Sequence, residues 1–523
     1  MPSAKSPGFR QSMAALHTWT GLLPGWLLYA VFLFGTTAYF QQEISRWMRP
    51  EMSGPLSLAR VLPAADALLR QRAGGAREWT VSLPVRSGQV VRVTWAGGHG
   101  SAADGKVTLD PATGREISVR DTQGGSFLYG FHYNLYAMPR LWARIAVCAA
   151  AMAMLVAILS GVVTHKKIFA DFFTLRFNKG QRSWLDSHNV TAVLALPFHL
   201  MITYTGLAAL LFTLMPWAIF ANFADQSTFH DTAYPDPPAL PASGEVRPVM
   251  PLQPLVHRAQ AVWASQGWSG SVGGVTITNP GDANAAAAIR AGRDHLGAPV
   301  SPLILSASDG RLLYSAPQES GARGVQSVMI LLHLGTLADT YLRWLYFASS
   351  VMGTAMIATG LVLWTVKRRA RLPDPDHPPF GFRLVERLNI GMMLGPMAGM
   401  AVYFLANRLL PLELARRDER EIACLFAAWG AVITWAFLRP APRAWIEMLA
   451  VCALLYGLVP MVNALTTTRG LARSLAAGQW VYAGFDLIML AAAIALGFGA
   501  GRLATRRQRA LPRRSRGAKA ETA

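Results

Sequence analysis

The sequence predicts a membrane protein, built as an all-α transmembrane bundle of about eight spans with two small α+β domains outside the bilayer. Hydrophobic residues make up 52% of the 523 residues and charged residues only 15%, a composition typical of membrane proteins. Apolar runs long enough to cross a bilayer recur along the chain. The net charge of +20 is concentrated beside these runs, as in Lys367-Arg368-Arg369, which is the positive-inside pattern. No basic sequence interleaved with aromatic residues occurs, so we expect a lipid bilayer and no nucleic acid as partner.

The first half of the chain alternates apolar and polar segments. The first span runs from Leu16 to Phe40, and a polar segment follows, with a helix-like stretch at Leu56–Arg72 and strand candidates WTVSLPV and VVRVTWA. The stretch KVTLDPATGREISV predicts a hairpin that turns at Asp110–Gly114. The second span lies at about Leu141–Val163, a basic loop with Lys166-Lys167 follows it, and the third span begins at Trp184 and ends at Phe212.

The second half starts with the same order of elements and then adds more spans. A helix-like stretch at Leu252–Gln266 precedes the strand candidates GGVTITN and PLILSASDGRLLYS, and the fourth span covers about Leu345–Val366. Four further apolar runs bring the total to eight, which places both termini in the cytoplasm. The predicted divisions are the N-terminus and first span (1–49), the first α+β domain (50–130), the second and third spans with their loop (131–221), the second α+β domain (222–330), the fourth span (331–370), four C-terminal spans (371–505) and a basic tail (506–523).

The histidines suggest that a unit of span, domain and span is used twice. This repeat would place His17 opposite His188 near the cytoplasm and His132 opposite His333 on the far side. His199 has no counterpart in the first half, where Leu28 takes its position. The spacings that indicate the repeat are 18 residues for His17–Gly35 and for His188–Gly206, 29 for His132–Gly161 and 27 for His333–Gly360.

Two histidines lie in the third span. On a continuous helix, eleven residues place His188 and His199 on one face, about 16 Å apart. Ligand-capable side chains inside a span are costly and usually functional, and imidazole is a good ligand for haem iron in a helical bundle. The alternative is structural, with His188 at the membrane interface and His199 in a satisfied polar contact. The three cysteines form no CxxC motif, so any haem would be held without covalent attachment.

Three stretches carry a resemblance to a known family. They are LHTWTGLLPGWLL at 16–28, DSHNVTAVLALPFHLMITYTGL at 186–207, and LLHLGTLADTYLRWLYF with TGLVLW at 331–364. Over about residues 10–370 the chain resembles the PepSY-associated transmembrane family of iron-regulated inner-membrane proteins of Gram-negative bacteria. The resemblance implies two PepSY-like periplasmic domains, about two b-type haems, and an oxidoreductase that passes electrons across the inner membrane to ferric siderophores in the periplasm.

The resemblance also implies a set of site residues. The candidates for axial haem ligands number five, one more than two bis-histidine haems need: His17, His132, His188, His199 and His333. We expect His17 to pair with His188, and His199 with His333 or His132. Arg140, Arg144 and Arg343 are candidates for contacts with haem propionates, or for anchoring to phospholipid headgroups. No flavin or nicotinamide motif occurs, so the expected electron donor is a quinol or a separate cytoplasmic reductase.

Two other function classes compete with the reductase. One is a PepSY-bearing binding or regulatory protein with structural histidines, and the other is a siderophore transporter whose path runs through the four C-terminal spans. The placement of the histidines favours the reductase, because all five candidates flank or enter the first four spans and none enters the last four.

Overall fold

The computed structural model describes residues 8–84, 90–97, 104–165, 175–176, 179–233, 240–292, 302–315, 321–336, 338–375 and 377–510. The predicted basic loop at Lys166-Lys167 and the tail beyond residue 510 lie outside these residues. The chain divides into two compact units, Met1–Gly360 and Leu361–Ala523. The division falls within one long helix.

The first unit contains one β-sheet and most of the helices. Among the described residues of the whole chain, six helices are long and apolar enough to cross a membrane, and up to eight spans result if each of two bent pairs counts as one. The chain is therefore a multi-pass membrane protein. Its first helices are α1 (Phe9–Leu22), α2 (Gly25–Ala38), α3 (Gln41–Trp47), α4 (Leu58–Arg72), α5 (Gly125–Asn134), α6 (Arg140–Thr164), α7 (Gln181–Leu194), α8 (Leu196–Ala209), α9 (Leu211–Leu214), α10 (Trp217–Phe220), α11 (Gln226–Ala233), α12 (Leu252–Ser265), α13 (Gly321–Leu334) and α14 (Thr340–Arg369).

The first and third predicted spans are each broken into two helices. The pair α1 and α2 bends by 61°, and the pair α7 and α8 by 67°. Proline explains both breaks, because it lacks an N–H and its ring clashes with the carbonyl four residues earlier, so the preceding helix cannot continue through it: Pro24 caps α2 and Pro197 lies in the first turn of α8. The expectation of His188 and His199 on one face of a continuous helix is therefore wrong.

The seven strands found in the described residues belong to one antiparallel sheet in the order β3-β2-β1-β4-β5-β6-β7. The two segments predicted as separate α+β domains join where β1 pairs with β4, with Trp79 opposite Ile277 and Val81 opposite Val275. Helices α4 and α12 contribute to one shared core under this sheet. The strands are β1 (Ala76–Ser82), β2 (Val91–Gly97), β3 (Gly105–Leu109), β4 (Val272–Thr278), β5 (Ala286–Ala291), β6 (Leu303–Ser306) and β7 (Leu312–Tyr314).

Strand β5 was not predicted, for a physical reason. Its sequence, Ala-Ala-Ala-Ile-Arg-Ala, is alanine-rich, and alanine is the best helix former. The strand lies between β4 and β6 and is paired with both, so tertiary pairing overrides local propensity. Strands β1 and β4 are neighbours in the sheet, and each follows a helix of the shared core, α4 or α12. This arrangement agrees with a duplicated unit.

The predicted hairpin turn at Asp110–Gly114 is confirmed. Asp110 is 2% exposed, and its carboxylate accepts hydrogen bonds from the backbone N–H (2.9 Å) and hydroxyl (2.6 Å) of Ser53 and from the N–H of Thr113 (2.9 Å). Gly114 has a φ of +72°, which suits glycine. Although burial opposes ionisation, the hydrogen bonds from Ser53 and Thr113 hold the pKa of Asp110 below its usual value of 3.8.

We expect Asp110→Ala to lower the free energy of opening of β2 and β3 by about 2 kcal/mol or more, because several buried donors lose a charged acceptor. The folded-state pKa of Asp110 is depressed, so its contribution is complete well above pH 3.8 and is lost as the pH falls through the folded-state pKa. Hydrogen exchange of the β2 and β3 amides in the full chain measures the effect. Unchanged protection in Asp110→Ala would contradict it, and Asp110→Asn is the shape-matched control.

The second unit contains the four predicted C-terminal spans. They are α15 (Phe380–Leu409), α16 (Arg417–Leu438), α17 (Ala441–Thr466) and, after the short α18 (Leu471–Ala476), α19 (Trp480–Ala510). Their apolar core includes Ile390, Leu394, Val432 and Met448.

One end of this unit holds a buried polar network. Asn407 donates to Glu421 (2.8 Å) and Asn463 donates to Asp486 (3.0 Å). Arg408 donates to Asn463 (3.0 Å), and Arg417 forms an ion pair with Glu421. Two positive and two negative side chains therefore balance, and the hydrogen bonds link the ends of α15, α16, α17 and α19.

Candidate functional site

Four of the five candidate histidines form two facing pairs. His17 on α1 and His188 on α7 have ring centroids 6.2 Å apart, with the ring planes at 66°. His132 on α5 and His333 on α13 have ring centroids 6.0 Å apart, with the planes at 27°. We name His17 and His188 the distal pair. His132 and His333 are the sheet-side pair, because α5 and α13 are the helices that follow the two strand segments.

Each paired imidazole is fixed by a hydrogen bond to a neighbouring helix. A backbone carbonyl can only accept, so Nδ1 must carry the proton, and in a neutral ring Nε2 then has a free lone pair. This arrangement is the usual way in which proteins orient a metal-binding imidazole. The bonds run from His17 to Ala157 O (2.8 Å), from His188 to Met356 O (2.9 Å), from His132 to Val31 O (2.7 Å) and from His333 to Ile202 O (3.0 Å).

The separation of the rings fits one metal ion between each pair. Two imidazoles on opposite sides of one ion have centroids about 6 Å apart, because a metal–nitrogen bond is about 2 Å long and the nitrogen lies about 1 Å from the centroid. The described residues contain no group of three or more His, Cys, Asp or Glu side chains that could hold a metal ion. Two facing imidazoles without further protein ligands are the donor set of bis-histidine haem, so these residues fit that group.

A cavity of about 730 Å³ adjoins the sheet-side pair. Its size lies within the usual range for cofactor and ligand pockets. Both His132 and His333 line it. The other lining residues are of two kinds: apolar ones such as Leu28, Val31, Phe32, Val147 and Met154, and polar ones such as Gln41, Gln42, Tyr129, Tyr133 and Arg144. The cavity therefore suits a largely apolar group that carries a few polar substituents.

His199 lies outside both pairs. Its side chain is fully buried, and neither ring nitrogen makes a hydrogen bond of regular geometry with the described residues, although the backbones of Ala192 and Ser349 lie near enough to interact with the ring. The expected pairing of His199 with His333 or His132 is wrong, since those two face each other.

The turns before the spans explain this pairing. Leu135 has a φ of +55° after α5, and Gly335 has a φ of +61° after α13, so both short helices end before the long spans begin. Helix α5 packs against α2, and α13 packs against α8. His132 and His333 thereby enter the bundle and do not lie on extensions of α6 and α14.

The three arginines with a predicted role lie in different surroundings. Arg144 lines the cavity and donates to Asn134 Oδ1 (3.0 Å). Arg343 forms an ion pair with Glu43 (2.8 Å), and Arg140 is exposed at the start of α6. Arg144 is the arginine that borders the site. The four carbonyl acceptors cannot be predicted from the sequence, because backbone groups of apolar residues carry no side-chain signature.

A comparison with known protein families found one match. A family model described as the PepSY-associated TM region matches residues 14–367. The match includes all four paired histidines and ends before the four C-terminal spans. Among curated proteins, none matched the chain.

Replacement of single histidines tests the two pairs. We expect alanine at His17, His188, His132 or His333 to lower the haem content from about two per chain to about one, because one axial ligand is lost. A pyridine haemochrome assay on purified protein measures the content.

The control is His199→Leu, which introduces the residue that stands at the corresponding position 28 of the first half. This variant should keep both haems. A loss of haem in His199→Leu equal to that in His132→Ala would show that the facing pairs are not the ligand sets.

Proposed function

The chain belongs to the PepSY-associated TM family, and we propose that it is a haem-b electron-transfer protein that reduces ferric siderophores at the periplasmic face of the bacterial inner membrane. The observation that carries the proposal is the presence of two facing imidazole pairs, with centroid separations of 6.2 and 6.0 Å. A chain that moves electrons across a membrane needs redox sites at two depths, and two separate imidazole pairs on different helices support this proposal.

The orientation follows from charge. Helix α14 ends in Lys367, Arg368 and Arg369, which the positive-inside rule assigns to the cytoplasm. The distal pair then lies toward the cytoplasm, and the sheet and the sheet-side pair lie toward the periplasm. The electron donor in this proposal is a quinol or a cytoplasmic reductase, which would act at the distal pair.

Bound between the paired imidazoles, haem b would supply reversible one-electron chemistry. The protein contributes the rest. The carbonyl groups of Val31 and Ile202 hold the sheet-side rings in the tautomer with a free Nε2 lone pair. Arg144, which lines the cavity, would pair with a carboxylate of the bound group.

The chemistry of the substrate explains why one electron is enough. Hydroxamate and catecholate oxygens are hard donors that suit Fe(III) better than Fe(II). Reduction therefore weakens the chelate and releases the iron. No general acid, general base or nucleophile is needed for this reaction.

Reduction across a bilayer is the direct test. In proteoliposomes with trapped dithionite, we expect a ferric hydroxamate added outside to be reduced, and a membrane-impermeant Fe(II) indicator outside records the product. Vesicles with His132→Ala should reduce little, because the sheet-side pair is broken. Equal rates for this variant, the intact chain and protein-free vesicles would contradict the proposal.

The two haems should also differ in their electron paramagnetic resonance spectra. Crossed axial imidazole planes leave two iron d orbitals nearly equal in energy and give a highly anisotropic low-spin signal, whereas nearly parallel planes give an ordinary rhombic one. We therefore assign the anisotropic signal to the distal pair at 66° and the rhombic signal to the sheet-side pair at 27°. Two identical signals, or loss of the anisotropic signal in His132→Ala, would contradict this assignment.

A further inference from the structure

Each of the four paired imidazoles lies against a glycine of the helix that accepts its hydrogen bond. The distance from an ideal Cβ position at the glycine to the nearest imidazole atom measures how close the two residues lie. That Cβ would lie 2.6 Å from His132 Nδ1 at Gly35, 2.7 Å from His333 Cε1 at Gly206, 3.1 Å from His17 Cε1 at Gly161 and 3.1 Å from His188 Cε1 at Gly360.

The glycine always follows the accepting carbonyl by four residues. The four combinations are Val31 with Gly35, Ala157 with Gly161, Ile202 with Gly206 and Met356 with Gly360. In an α-helix the carbonyl of residue i already accepts from the N–H of residue i+4. The Cα–Cβ bond of residue i+4 tilts back toward the helix N-terminus, so a side chain there would cover the second lone pair of that carbonyl.

We propose that Gly35, Gly161, Gly206 and Gly360 are positioning residues of the two imidazole pairs. The missing Cβ opens the carbonyl one turn earlier to Nδ1–H of the histidine. This bond fixes the tautomer and the plane of the ring, so that Nε2 carries the free lone pair. The proposal rests on the proposed function for the identity of the bound group, but the geometry of the four contacts does not depend on it.

The tightness of the contacts predicts a graded effect of alanine. At Gly35 and Gly206 the Cβ would overlap the ring, so the imidazole must leave its carbonyl. At Gly161 and Gly360 the ring needs to move only a few tenths of an ångström. Alanine at the first two sites should therefore remove the sheet-side haem, which halves the haem content. Alanine at the other two should keep both haems and alter only the distal low-spin signal.

The chain offers two matched controls. A Cβ at Gly391 on α15 would lie 2.9 Å from Ile433 Cγ1, so Gly391→Ala is similarly crowded but contacts neither pair nor the cavity. A Cβ at Gly130, two residues before His132 on α5, meets no described atom within 4 Å. Since alanine is a better helix former than glycine, Gly130→Ala reports the effect of propensity alone. Both controls should keep two haems and unchanged spectra.

The experiment measures haem content and paramagnetic resonance spectra of the six purified variants. It also measures the histidine tautomers by nitrogen NMR in protein prepared without haem. We expect Gly35→Ala to lose the Nδ1–H tautomer at His132 even without haem. If the wild type binds no haem even when haem is supplied, but keeps the four Nδ1–H tautomers, the proposed function is refuted and the role of the glycines is not.

Three results would overturn the role of the glycines. One is Gly35→Ala with two haems and unchanged tautomers, and another is Gly391→Ala with the same loss of haem as Gly35→Ala. If Gly35→Ala and Gly206→Ala do not fold, the milder Gly161→Ala and Gly360→Ala decide the question. An unchanged distal signal in both of them is the third such result.

Discussion

The hydrogen bond from each paired histidine to a backbone carbonyl is the constraint on which the first unit depends. Inside a membrane an unsatisfied N–H is costly, and each of the four paired imidazoles has a backbone carbonyl as its acceptor. Helix carbonyls are already occupied by their own helix, so the acceptor must be shared. Four such bonds join α1 to α6, α7 to α14, α5 to α2 and α13 to α8. Together they hold the bundle in the arrangement that brings the rings face to face.

The breaks in the helices serve the same arrangement. The bends of 61° and 67° separate the helices that carry the distal histidines from α2 and α8, whose carbonyls receive the sheet-side histidines. The short helices α5 and α13 bring His132 and His333 back into the bundle. A single sheet that both halves share links the segments before α5 and α13. The four C-terminal helices form a second unit, whose buried charges are balanced and hydrogen-bonded within it.

Much of the fold and of the site could be predicted from the sequence. The features that could not be predicted share a cause. Apolar runs and basic flanks predicted the spans, and the repeat placed His17 opposite His188 and His132 opposite His333. The sequence did not reveal the break at Ala195, so His199 was expected to share a face with His188. Nor did it reveal that β1 pairs with β4, because strand partners far apart in the chain leave no local signal. The carbonyl acceptors likewise leave no local signal in the sequence, because any residue can provide a backbone carbonyl.

The measurement that tests the pairing most directly is the haem content of two double variants. His17→Ala/His188→Ala removes both members of one pair, and His17→Ala/His132→Ala removes one member of each. If each facing pair holds one haem, the first variant retains about one haem per chain and the second retains none. A higher haem content in the second variant than in the first, or equal haem content in the two, would contradict the account.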